Sequence, residues 1–481
     1  MYEKSWREFW RSWNSRIGIC FLAFMISISI YVALTYPWDF GLRVWNNPSY
    51  WADNPKAVPP DWSRLFTDKN PPPHMVWELR EPSRVVEAGA ARILTYIIDL
   101  RYDYDQTPSM ISISIRDVVY HSRKPPLILV TLERPDAVSV DLTSISVSSP
   151  RAGESPPYRR YVEAPKRLSL SGDPAVISAL ARMIKRVYGV ELERENIAKI
   201  GIERILFGEL IDQRKPRFDV LKGRYRFIIK ALTYDPRDSI GLVRLVLGGR
   251  TYGALGTDTL GRDLAVGLLF GFPIALLIGV VTSTITTAIG AIIGIISGYL
   301  GGRVDTCIQR ICDILLNIPL LPILIFFTFI LGAVMPRLVI IFAILIAFSW
   351  PGLAIIVRPM ILQIKSSQFI EAAVSIGAPR WWIMLRHIFP QIAPFIFAQM
   401  IFFTPSAILA EASISFLGLG DPTIPTWGQI LEYGFRSGAV YLGYWWWTLP
   451  PGLLIVFAAI TFVLIALGLE PVVNPRLRRM R

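Results

Sequence analysis

The feature that most constrains this chain is a series of apolar runs too long to belong to the core of a water-soluble domain. Ile17 to Tyr36 contains no charged residue, and at 1.5 Å per residue roughly 20 helical residues cross a hydrocarbon core of ~30 Å. Similar runs return at Phe272 to Ser297, Ile314 to Val334, Leu338 to Val357, Gln391 to Phe416 and Pro450 to Gly468. The expected fold class is therefore a polytopic α-helical membrane protein of about six transmembrane helices, with membrane lipid as its solvent. Composition agrees: 52% of the 481 residues are hydrophobic and 18% charged, with a mean hydropathy of +0.43.

The formal charge of +13 would suit nucleic acid or anionic lipid, so its distribution decides. Segment 1–16 holds Lys4, Arg7, Arg11 and Arg16 against Glu3 and Glu8, which places the N-terminus in the cytoplasm by the positive-inside rule. A cleaved signal peptide is the competing reading of 17–36, but the run exceeds the usual ~7–15 apolar residues and no small-x-small cleavage site follows. Six crossings return the C-terminus to the same side. The tail, 469–481, carries Arg476, Arg478, Arg479 and Arg481, and the loops with Arg303, Arg310, Lys365, Arg380 and Arg386 also fall inside. The basic surplus reads as orientation in a cell (plasma or inner) membrane, and no nucleic-acid partner is expected.

Residues 37–252 differ in texture, with charges of both signs and Pro71, Pro72 and Pro73 in a row. About 215 residues suffice for one domain. Alternation at Met110 to Ile115, Leu127 to Leu132 and Ala137 to Val147 predicts strands. Asp173, Pro174 and the spacing up to Tyr188 predict a capped helix. A large α+β insertion on the extracytoplasmic side follows, with the membrane core at 253–468. The chain has three cysteines, Cys20, Cys307 and Cys312, which excludes a disulfide-stapled insertion. His74, His121 and His387 lie far apart, so no metal site is expected.

Gly290, Gly294 and Gly298 fall on every fourth position of one apolar run. They let a second helix approach closely, or reflect the general abundance of glycine in membrane helices. Trp445, Trp446 and Trp447 read as an interfacial belt before the last helix, with an aromatic-ligand site as the alternative. Glu411 is an acid inside an apolar run, either a pathway-lining group or a structural one. Arg358 is expected to anchor the cytoplasmic face by snorkelling rather than to bind a substrate carboxylate. The most informative stretch is EAAVSIGAPRWWIMLRHIFP, Glu371 to Pro390. Its first turns predict a short helix outside the bilayer that ends near Gly377 and Pro379, suited to docking in a protein groove or to lying in the membrane interface.

This stretch resembles the EAA loop of ATP-binding-cassette importer permeases. GTDTLGRD (Gly256 to Asp263), GYLGGRVD (Gly298 to Asp305), EASISFLGLG (Glu411 to Gly420), PTWG (Pro425 to Gly428) and NPRLR (Asn474 to Arg478) are together similar to the C-type subunit of the dipeptide/oligopeptide permease family. Phe389, where Leu is usual, and Gly468 to Pro471 depart from the family pattern. The resemblance covers Leu255 onward but not the insertion. It implies a type I importer permease fold and a transporter subunit, not an enzyme. No cofactor is expected in this chain, ATP and magnesium being bound by partner subunits. The implied partners are a homologous second permease, two ATP-binding-cassette ATPases and an extracytoplasmic solute-binding protein. Residues 366–390 would form the coupling loop, with Glu371 as polar contact, Ala372 and Ala373 as the close-packed face, Gly377 as the turn, and Ile388 and Pro390 closing the motif. Cargo by resemblance is peptide, with oligosaccharide or nickel as alternatives. A membrane-anchored receptor or enzyme would have no use for such a loop, and a secondary transporter would show half-to-half repeats.

Overall fold

The computed structural model describes residues 9–89, 91–212 and 216–473. Lys4, Arg7, the NPRLR block and the basic tail lie outside the described residues. The chain separates into two compact units, residues 1–48 with 264–481, and residues 49–263.

The first unit includes α1 (Trp13–Thr35). Within the second unit, the described residues form antiparallel sheets, two of them five-stranded: one joins β1 (Met75–Leu79), β12 (Ser239–Leu247), β4 (Ile111–Tyr120) and β7 (Tyr158–Arg160) in that order with β8 (Lys166–Ser169) beside β4, and the other runs β2 (Arg84–Ala88), β3 (Ala91–Tyr102), β11 (Gly223–Thr233), β5 (Leu127–Glu133), β6 (Ser139–Ser146). Alternate residues of β3, β5 and β11 share one apolar core, as period-two patterning requires, together with those of β4, where the alternation shifts by one residue between Ile115 and Val118. The predicted helix is present as α2 (Pro174–Tyr188): Asp173 accepts a bond from Ala175 N at 2.8 Å, and Gly189 ends the helix at φ 69°. It buries Val176, Leu180 and Ile184 in that core. Two shorter helices follow, α3 (Arg194–Ile200) and α4 (Ile202–Leu206), before β9 (Gly208–Asp212) and β10 (Arg217–Val220).

The remainder of the first unit comprises α5 (Leu264–Leu300), α6 (Gly302–Asn317), α7 (Leu320–Leu331), α8 (Arg337–Lys365), α9 (Gln368–Ser375), α10 (Arg380–Ile383), α11 (Phe389–Phe416), α12 (Trp427–Arg436) and α13 (Trp445–Val473). Among the described residues, five helical stretches are long and apolar enough to cross a membrane, and α6 with α7 forms a further pair bent by 82°. The sequence predicts one straight helix over Ile314 to Val334; the break at Ile318 and Pro319 divides it instead. Proline disfavours helical backbone in the residue before it, and Ile318 is accordingly extended at ψ 121°. The tryptophan triplet also differs from expectation. It opens α13 rather than preceding it, with Trp446 and Trp447 buried. Trp447 lies 3.2 Å from the position a Cβ would take on Gly434, so a missing side chain on α12 admits the indole to the bundle.

Candidate functional site

The segment joining α8 to α11 is the most unusual part of the helical unit. After α8 ends at Lys365, the Ser367 hydroxyl donates to Ile364 O at 2.5 Å and one turn later the chain re-enters a helix as α9. Two residues of α9 face inward: Ile370 and Ala373 are buried with Ile383 and Ile388 and with Val357 and Ile361 of α8. Glu371, Ala372, Val374 and Ser375 face outward. The predicted alanine pair is thus divided, because adjacent residues on a helix point about 100° apart. Ala373 packs into the bundle and Ala372 is exposed.

Gly377 closes the helix. Its φ is 82°; Gly377 N donates to Val374 O at 3.0 Å and Ala378 N to Ala373 O at 3.1 Å. These are the two bonds of a Schellman cap, which satisfies the last carbonyls and requires a left-handed residue. The chain then reverses through Pro379, α10 and a single wide turn at Met384–Ile388 into α11, where Pro390 occupies the first turn. Phe369, Val374, Ile376, Trp381 and Leu385 all stay exposed, Ile376 to 82%.

This element is braced from α5, α6 and α8. Gly290, Gly294 and Gly298 all face α8: Cβ atoms built on them would approach Leu353, Val357 and Ile361 to 2.9, 2.8 and 2.7 Å. At the same end, Arg358 forms a two-pronged ion pair with Asp305, at 2.6 Å from Nε and 2.5 Å from the terminal nitrogen. Ser297 donates to the same carboxylate, and Lys365 Nζ bonds Tyr299 O at 2.6 Å. Asp305, 53 residues earlier, thus supplies the counter-charge of Arg358. Spacing along the chain gave no signal for this pairing; the acid in GYLGGRVD and the base on a later apolar helix were the only clue.

Glu411 is buried in α11. Ser415 donates to it at 2.6 Å, and the Thr426 hydroxyl at the start of α12 also bonds it. Trp427, next in the PTWG block, donates to Leu268 O of α5 at 2.8 Å. The acid thus sits where α11 and α12 are joined. In the second unit, His121, Asp235 and Asp238 converge, but Asp238 accepts backbone N–H groups from His121, Tyr234 and Asp235 at 2.8–3.1 Å, which is the work of a turn cap.

Long apolar helices surrounding a short, capped, outward-facing helix define a multi-pass helical membrane protein with an element exposed for contact at one end of its bundle. Residues 290–479, which include that element and the glycine seam, match the family described as binding-protein-dependent transport system inner membrane component. Similar proteins include the dipeptide transport system permease protein of Bacillus subtilis, 35% identical over 47% of this chain and 69% of the relative. The oligopeptide transport system permease protein of Escherichia coli is 39% identical over 46% and 72%. The glutathione transport system permease protein of Pectobacterium atrosepticum is 34% identical over 51% and 80%. The chain belongs to this family of transport-system inner membrane components, and is a transporter subunit rather than an enzyme.

Proposed function

We propose that the chain is one of two permease subunits of an ATP-driven importer of short peptides, in which Glu371 to Pro390 receives the movement of a separate ATPase. The observation that carries this reading is the division of α9 into two faces. Ile370 and Ala373 bind the lever to the bundle, and Phe369, Val374, Ile376 and Trp381 form an apolar surface outside it. An apolar surface of this kind at the end of a bundle marks an interaction site. Similarity to dipeptide, oligopeptide and glutathione permeases favours peptide over oligosaccharide or nickel.

In this reading α6 and α7 act as one broken span, giving six crossings, both termini are cytoplasmic, and the unit at 49–263 lies outside, where an external solute-binding protein delivers cargo. A homologous permease completes the pathway, and two ATPases bind ATP and magnesium. Closure of the ATPases shifts the inward and outward populations by no more than the difference in their affinity for the two states. Glu371 offers a charged contact, Gly377 sets the direction of the lever, and Glu411 and the glycine seam keep the bundle rigid behind it.

The test is a cysteine pair. With the native cysteines replaced, V374C and A372C should crosslink to the co-expressed ATPase, whereas A373C should not, because its side chain faces the bundle. G377V should uncouple ATP hydrolysis from uptake, since a β-branched residue at positive φ is costly, while G377N should retain coupling. A crosslink at Ala373 with none at Val374 or Ala372 would reject the geometry.

A further inference from the structure

The unit at 49–263 carries a groove of about 820 Å³, within the ~300–1,000 Å³ of pockets that hold small ligands. We propose that this groove binds the carboxylates of a short acidic peptide, through Arg204, Arg250 and Lys69. This assignment is independent of the transport reading.

The lining holds Lys69, Arg204, Arg217, Lys222 and Arg250 against Asp105 and Asp219, a balance of 5 − 2 = +3. Both acids are already engaged. Lys222 pairs with Asp105 at 2.6 Å, and Asn70 N donates to the same carboxylate. Arg217 takes Asp219 at 3.3 Å. Among the described residues, Lys69, Arg204 and Arg250 form no ion pair.

Arg250 is the anchor. It is half-buried and fixed by donating to Thr107 O at 2.9 Å. Burial, and then the neighbouring Arg204, push its pKa down, so the two guanidiniums repel each other in a partly desolvated cleft. Glu203 lies nearby and attracts Arg250 but forms no ion pair with it, and burial raises the pKa of Glu203 itself. A positive pair left in this state is relieved by an oxyanion, and guanidinium forks match carboxylate geometry in a two-pronged way. The groove is far larger than one small anion needs. Ile200 and Phe218 add apolar lining that suits the carbon chain between successive carboxylates. These features together favour a chain of acids over a single ion.

The experiment uses the purified full chain in detergent at low ionic strength, with tetraglutamate, tetralysine and inorganic phosphate as probes in titration calorimetry. Tetraglutamate should bind, with an affinity that falls as salt is added, and tetralysine should not. Lys69 and Arg204 are exposed and without ion-pair partners, so the double variant K69E/R204E should keep its melting temperature and bind tetraglutamate at least about tenfold more weakly, like charges being unfavourable at a contact. If the double variant misfolds, R204Q replaces it with the same expected direction. No binding of tetraglutamate, undiminished binding by the folded variants, or equally tight binding of phosphate would overturn the assignment.

Discussion

Two glycines on facing helices make opposite predictions, and together they test whether the seam between α5 and α8 is a true close contact. A Cβ at Gly294 would lie 2.8 Å from Val357 Cβ and 2.9 Å from Ala354 O, against ~3.5–4.0 Å for unstrained carbon contact. Gly290 and Gly298 are equally tight, at 2.7 Å to Trp350 O and to Ile361 Cβ. With three such contacts in a row, α8 cannot retreat from one without losing packing along the seam. Gly352, on α8 itself, has nothing within 4 Å of its built Cβ. Replacing a helical glycine by alanine gains up to ~1 kcal/mol of intrinsic preference, so G352A should stabilise by about 0.5–1 kcal/mol. G294A gains the same preference, but overpacking costs about 1–3 kcal/mol, leaving a net loss of up to about 2 kcal/mol. G294V adds two methyl groups to the same contact and should cost about 2–4 kcal/mol. Thermal unfolding in one detergent is the assay. In a double-mutant cycle, V357A should partly rescue G294A, since shrinking the opposing side chain restores the gap. A G294V protein that melts with the wild type, or equal shifts of G294A and G352A in the same direction, would refute the close contact.

Two further outcomes follow from charges. D305N should destabilise the helical unit by about 1–3 kcal/mol, below the figure for a fully buried pair because Arg358 keeps 33% of its side-chain exposure; a D305N/R358Q variant melting no higher than D305N would exclude the ion pair as the cause. In the other unit, burial pushes the Tyr96 phenol up to about 12 and raises Tyr102 and Tyr225 as well. The unfolded chain loses these protons near the ordinary tyrosine value of about 10, before the folded one does, so stability should fall as pH rises from about 10 toward 12. Y96F should flatten that alkaline decline, and an unchanged decline by chemical denaturation would count against it.

Much of the helical unit could be read from the apolar runs, because in lipid the length of an uncharged run is nearly sufficient to define a span. The exception was local: Ile314 to Val334 looked continuous because hydropathy does not register the backbone restriction that Pro319 places on Ile318. Within the candidate site, the helix and its end at Gly377 were legible, since capping is set by residues close in sequence. The division of Ala372 from Ala373 was not, as an eight-residue helix holding two apolar faces does not reveal which one the bundle takes.

The sequence by itself determined where lipid must surround the chain, where its insertion begins to look like alternating strands, and which short segment is capped as a separate helix. Each of these follows from interactions between near neighbours or from one-dimensional hydrophobic length. Only the tertiary structure decided that Asp305 answers Arg358, that three glycines meet Leu353, Val357 and Ile361, and that Arg204 and Arg250 line one groove. Those pairings join residues dozens to hundreds of positions apart, where charge and volume are matched by folding in space and leave no periodic trace along the chain.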